Sequence, residues 1–181
     1  EGKKVGNFLL QATPFAQGAF GSVYEATHEI SKIKVAIKVI DKHEIIQRKE
    51  QNFVMQEVQI LQQLDHPNIL KFFDLSETKN NIYIVTELLS KGSLLEYAQK
   101  FDGLPENFAK QLFRQLASAV FYLHQQNIAH RDLKLENILL SDTLAPKIID
   151  FGFACFYKDQ IVTECGTLQY AAPEVLLNKR H

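Results

Sequence analysis

The chain has 181 residues, which at roughly 150 residues per domain allows one domain or two small lobes. Hydrophobic residues make up 46% and charged residues 23%, with 8 Gly and 5 Pro, a globular composition that excludes disordered, collagen-like and low-complexity classes. The 20 Lys+Arg and 21 Asp+Glu leave a net charge of −1 with no bias between the halves, so no basic face for nucleic acid is implied.

The longest apolar runs, at 119–123 and 153–157, are far below the ~18 residues of a membrane span, and no signal peptide is read at Glu1. Cys155 and Cys165 lack CxxC spacing, which argues against a disulfide framework or zinc site. A reducing, intracellular setting is expected, cytoplasmic and also open to nuclear.

The first stretch reads as strands at residues 8–10, 21–26 and 34–40, broken by Pro14, Gly18 and Gly21. Within 34–40, Val35, Ile37 and Val39 share one face while Ala36, Lys38 and Ile40 share the other. Around Gly18 the strand–turn–strand text 15–23 suits close approach of backbone N–H groups to phosphates, and suits an ordinary hairpin equally.

From about Arg48 the period becomes helical, with Phe53, Ile60, Leu61 and Leu64 on one stripe. Glu57 sits in that stripe, where it either points to solvent at the edge or meets a buried cation, Lys38 being the candidate. After the break at Asp65-His66-Pro67-Asn68, runs near 70–75 and 82–87 predict an antiparallel hairpin. Ser93 and Glu96 have capping-box spacing for a helix reaching about Phe101. Pro105 then opens a long amphipathic helix with Phe108, Leu112, Leu116, Val120 and Leu123 on one face.

The stretch His130-Arg131-Asp132-Leu133-Lys134-Leu135-Glu136-Asn137 concentrates titratable side chains in a loop before the apolar 138–140. Asp132, Lys134 and Asn137 can supply a proton acceptor, a cation for phosphoryl charge and a neutral oxygen ligand for a hard metal. His130 reads as a satisfied core histidine. Asp150 follows at a strand end beside Phe151-Gly152, where a plain turn is the competing reading, and with Asn137 it would suit magnesium.

On these residues the chain resembles a eukaryotic protein kinase domain. The family pattern G-x-G-x-x-G-x-V matches Ala16 to Val23 except at the first glycine. V-A-I-K matches Val35 to Lys38, H-R-D-L-x-x-x-N matches His130 to Asn137, D-F-G matches Asp150 to Gly152, and A-P-E matches Ala172 to Glu174. The resemblance implies an α+β, bilobal fold: residues 1–87 would form a β-rich N-lobe with the helix carrying Glu57, and 88–181 a partial, mainly helical C-lobe.

It implies ATP and magnesium (Mg2+) as cofactors. Lys38 would hold the α/β-phosphates and pair with Glu57, and Gly18 and Gly21 would lie in the phosphate loop. Phe15, Val23, Ala36 and Leu139 would line the adenine slot, with the hinge at Glu87 to Leu89 and Thr86 as gatekeeper. Asp132 would take or orient the substrate hydroxyl proton beside Lys134, and Asn137 and Asp150 would bind the metal. The Lys134 position and Gly166-Thr167-Leu168-Gln169-Tyr170 are similar to serine/threonine kinases, in tone those of the calmodulin-dependent and AMP-activated-kinase-like group. Thr163 would be the activating phosphothreonine, written by an upstream kinase and neutralised by Arg131.

The expected function is ATP-dependent phosphorylation of serine or threonine hydroxyls on proteins. The alternative is a nucleotide-binding regulatory module or pseudokinase. Two departures from the pattern stand out. Ala16 replaces a glycine, at a cost of roughly 1–2 kcal/mol if its φ is positive and little otherwise. The text also ends seven residues after Glu174, so the chain is read as C-terminally truncated. Alone it is expected to bind nucleotide weakly and phosphorylate poorly, with part of the 108–123 helix left uncovered.

Overall fold

The computed structural model describes residues 3–18, 21–157 and 166–176. Two units emerge: Glu1–Val58 with Lys71–Leu88, and Gln59–Leu70 with Leu89–His181. Residues 59–70 group with the second unit because their polar groups are satisfied there. Leu70 N donates to Ile148 O at 3.0 Å, and Asn68 Nδ2 donates to Gln115 Oε1 at 3.0 Å and to Pro146 O at 2.8 Å.

The first unit is built on one antiparallel sheet of seven strands: β1 (Lys4–Val5), β2 (Phe8–Leu10), β3 (Ala16–Gly18), β4 (Gly21–His28), β5 (Lys34–Asp41), β6 (Phe72–Glu77) and β7 (Asn81–Glu87). Their order is β1-β2-β4-β5-β7-β6, and β3 pairs with β4 beyond the end of β2. Alternation along β5 separates two cores, as its sequence predicts. Val35 and Ile37 pack with Tyr83 and Val85 on one face, with Val39 against them. Ile40 packs with Ile82 and Ile84 on the other face, against Val54 and Val58.

Val54 and Val58 belong to α2 (Gln51–Gln63), the predicted helix, and the predicted Ile60, Leu61 and Leu64 are buried. Phe53 alone of the predicted stripe is exposed, and the inward residues of the helix are Val54, Glu57, Val58, Ile60 and Leu61. Glu57 is thus centred on the buried face. A short helix that the sequence reading passed over, α1 (Lys42–Gln47), precedes it. Its N-cap is Asp41, whose Oδ1 accepts from His43 N at 2.7 Å and Glu44 N at 3.4 Å.

In the second unit, α3 (Leu94–Lys100) opens on the predicted capping box: Ser93 Oγ accepts from Glu96 N at 3.1 Å and Glu96 Oε2 accepts from Ser93 N at 2.8 Å. The long α4 (Glu106–Gln125) follows Pro105. Leu94, Leu112, Ile138 and Leu140 form a core with Phe108 and Leu116 packed against it. The other side of α4 carries Phe113 and Phe121 at 71% and 64% exposure. Then come β8 (Ile128–Ala129), β9 (Ile138–Leu140), β10 (Pro146–Ile148), β11 (Cys155–Phe156) and a turn of helix, α5 (Pro173–Leu176). Among the described residues no helix is long and apolar enough to cross a membrane.

Candidate active site

In the first unit, strand register gathers several of the predicted residues on one face of the sheet. Ala16, Val23, Lys38 and Ile84 form one cross-strand row, and Glu25, Ala36 and Thr86 form the next on the same face. Lys38 Nζ donates to both Glu57 oxygens, at 2.8 and 2.9 Å, with 18% and 5% of the two side chains exposed. An ion pair this enclosed is held by geometry, since either charge alone would be poorly solvated. Thr86 is buried and donates to Glu87 O at 3.3 Å, while the Glu87 carboxylate accepts from Lys71 N at 2.7 Å. Phe15 is exposed.

Of the two glycines, space requires only Gly21. A Cβ on Gly21 would run into the Val39 carbonyl oxygen, whereas one on Gly18 would meet Gly21 O at 3.4 Å and Lys38 Cε at 3.7 Å, ordinary contact distances. Ala16 lies in β3 and is absent from the positive-φ residues, so the cost weighed for alanine there does not arise.

In the second unit, two short antiparallel pairs bring the two motif loops side by side. β8 pairs with β11 and β9 with β10, so residues 130–137 and 149–154 run between paired ends. Ile149 N donates to Asn137 O at 3.0 Å, fixing the residue before Asp150 beside Asn137. His130 Nε2–H donates to Ile149 O at 2.9 Å and its Nδ1 accepts from Asp132 N at 3.3 Å. These partners demand the neutral imidazole. Burial lowers its pKa, and the Ile149 carbonyl and the charges of Asp150 and Asp132 only partly oppose that. The ring also meets Phe151 edge-on at 4.9 Å.

Asp132 is the centre of the unit's polar network. Its Oδ1 accepts from Thr167 Oγ1 at 2.7 Å, and its Oδ2 from Lys134 Nζ and Asn137 Nδ2, each at 2.9 Å. Lys134 Nζ also donates to Thr167 Oγ1 at 2.8 Å, closing a triangle. An ionised carboxylate offers about four lone-pair sites, so one on Oδ1 remains for a further donor. Burial pushes the Asp132 carboxyl up, but bonds from Lys134 and Thr167, the Lys134 charge and the Asn137 amide outweigh it and hold it below the usual carboxylate range. The bond to Asp132 raises the Lys134 ammonium against its own burial, with the charges of Asp132, Glu136 and Asp150 adding to it.

Asn137 donates through Nδ2 to Asp132 O and Oδ2, so the ligand it could offer a metal is its amide oxygen. Asp150 is exposed, adopts φ 60° and accepts from Gly152 N at 3.3 Å. Among the described residues no group of three or more His, Cys, Asp or Glu could hold a metal by itself. One carboxylate and one amide oxygen fit magnesium, which keeps waters and takes phosphate oxygens for its other positions. Leu89 is buried and Leu139 half-buried in this unit.

Arg131 has φ 65° and donates through Nε to Phe153 O at 2.7 Å. Thr163, its expected partner, and Cys165 lie outside the described residues. Sequence reasoning gave Thr167 no place in the site, although it quoted Gly166-Thr167. Gly166 explains that placement: at φ +91° a Cβ would run into the Arg131 carbonyl oxygen, so only glycine lets this segment sit on the loop.

Comparison with known proteins gives a match of residues 13–181 to the protein kinase domain family. The chain is 42% identical over 180 residues to serine/threonine-protein kinase SIK1 of Mus musculus, covering 98% of this chain and 23% of that protein. It is 41% identical over 188 residues to the hormonally up-regulated neu tumor-associated kinase of Homo sapiens, covering 99% of this chain and 26% of that protein. Serine/threonine-protein kinase SIK2 of Gallus gallus is 40% identical over 180 residues, with 98% and 22% covered. The chain therefore spans about a quarter of the length of these relatives.

Proposed function

Because the chain belongs to the protein kinase domain family, we propose that the protein carrying it transfers the γ-phosphoryl group of ATP to serine or threonine hydroxyls of other proteins. The observation that carries this reading is the Asp132 network with Lys134, Asn137 and Thr167. An aspartate held anionic with one lone pair left is suited to a hydroxyl donor. Asp132 orients that hydroxyl and receives its proton as the oxygen–phosphorus bond forms and the bond to the β-phosphate breaks. Lys134 stands by with positive charge for the phosphoryl oxygens. Lys38, fixed by Glu57, takes the α/β-phosphates, and Val23, Ala36 and Thr86 on the same sheet face offer small surfaces to the base. Asn137 and Asp150 would hold magnesium, which would supply positive charge for the phosphate oxygens.

Regulation follows the same logic. Phosphorylation of Thr163 by an upstream kinase adds about −1.5 to −2 charges, which Arg131 meets, ordering the segment between Asp150 and Glu174. Undiminished activation of a Thr163→Ala protein by such a kinase would contradict this. A reducing compartment, the cytoplasm or nucleus, is proposed because Cys155 and Cys165 lack CxxC spacing.

The test is Mg·ATP turnover by the full-length protein on a generic protein substrate. Asp132→Asn should lower kcat by about 10²–10⁴-fold with nucleotide binding retained. A wild type that binds ATP without transferring phosphate would favour the regulatory-module reading instead.

A further inference from the structure

The strand β3 has slender support: three residues, paired with β4 alone, as Ala16↔Val23, Gln17↔Ser22 and Gly18↔Gly21. A two-stranded pair of this length is marginal by itself. The Gly18↔Gly21 pair has no side chains with which to fix register, and the Val39 carbonyl forbids one at Gly21. The next pair carries the tie. Ser22 Oγ donates to Gln17 Oε1 at 2.9 Å, the one side-chain hydrogen bond between β3 and β4 among the described residues.

Register also fixes the face on which this bond lies. Gln17, Ser22, Val39 and Tyr83 form one cross-strand row, adjacent to the row of Ala16, Val23, Lys38 and Ile84 and therefore on the opposite face. The bond points away from the Lys38 amine and meets no group assigned to the reaction. Any influence on ATP must pass through the order of the backbone.

We propose that Gln17 and Ser22 are positioning residues for the nucleotide: their bond keeps β3 paired on β4, so the glycine-bearing backbone is in place before the phosphates arrive. This rests on the ATP-dependent reading above. A cross-strand hydrogen bond at a solvent-facing site has a small effect, about two- to fivefold in KM for ATP. The chemical step, centred on Asp132 in the other unit, should keep its kcat.

The experiment uses the full-length protein with Ser22→Ala, Gln17→Leu, the double variant and Ser22→Thr, which keeps the donor. KM for ATP and kcat are measured, together with amide hydrogen exchange of residues 15–23 in nucleotide-free protein. Either single loss should speed exchange and raise KM with kcat unchanged, the double should match the singles, and Ser22→Thr should stay near wild type. Unchanged exchange in the single variants, faster exchange with unchanged KM, or a double effect equal to the product of the singles would overturn the proposal. A wild type that does not turn over ATP overturns the kinase reading, and with it the role toward ATP, while the exchange data still decide whether the tie exists.

Discussion

Thr167 shows how one hydroxyl can serve two charged neighbours. It donates to Asp132 Oδ1 and accepts from Lys134 Nζ, so Thr167→Val removes both links while keeping the shape. A hydrogen bond to a charged group contributes roughly 1.5–3 kcal/mol, which predicts a fall in kcat of about 10- to 100-fold. Because that bond helps depress the Asp132 carboxyl, the acidic limb of the pH–rate profile should move to higher pH. Thr167→Ser should restore both, and an unmoved limb in Thr167→Val would count against the network. His130 gives a second, opposite-sided prediction. Its folded pKa is lowered, so the unfolded chain takes up the proton first as pH falls below about 6.5. The stability due to neutral His130 is complete above that pH and is lost on acidification toward the folded value. Denaturant midpoints should therefore drop between pH 7.5 and 5.5, with a shallower drop in His130→Asn. Most of these side chains were legible in sequence as types at fixed spacing. Thr167 was not assigned because its bonds span more than 30 residues of chain, and spacing along a sequence does not report such closure.

At the level of elements, local chemistry was read well where it is self-contained. The Ser93–Glu96 capping box and the two faces of β5 depend on neighbours within a few residues, and both stand as expected. Of the stripe read for α2, Ile60, Leu61 and Leu64 are likewise buried as expected, whereas Phe53 is exposed and Val54 is buried in its place. Packing of Val54 and Val58 against Ile40, Ile82 and Ile84 decides it. The helix α1 was passed over because Asp41 ends β5 and caps the helix at the same time. The segment opening at Gly166 offers the sharpest test on this scale. Gly166→Ala forces a side chain into the Arg131 carbonyl at a φ of +91°, so the segment must shift and carry Thr167 with it. The left-handed backbone alone costs roughly 1–2 kcal/mol. We expect kcat to fall by at least about tenfold while the affinity for a fluorescent ATP analogue stays within error, since Lys38 and Glu57 lie in the other unit. A matched loss of nucleotide affinity would show that Gly166 acts elsewhere.

For the whole molecule, the division of labour between units is the main point. The first holds an enclosed lysine–glutamate pair on one sheet face, and the second holds an anionic aspartate with its lysine, asparagine and threonine. Neither set alone is more than an ion pair or a polar cluster. The near-neutral composition gave no hint of this, whereas the five motifs in order did. The most direct measurement is phosphoamino-acid analysis after incubating the full-length protein with γ-labelled Mg·ATP and a protein substrate. Label on serine or threonine that disappears in Asp132→Asn is the predicted result. Label on tyrosine, or ATP binding without any transfer, would contradict the account.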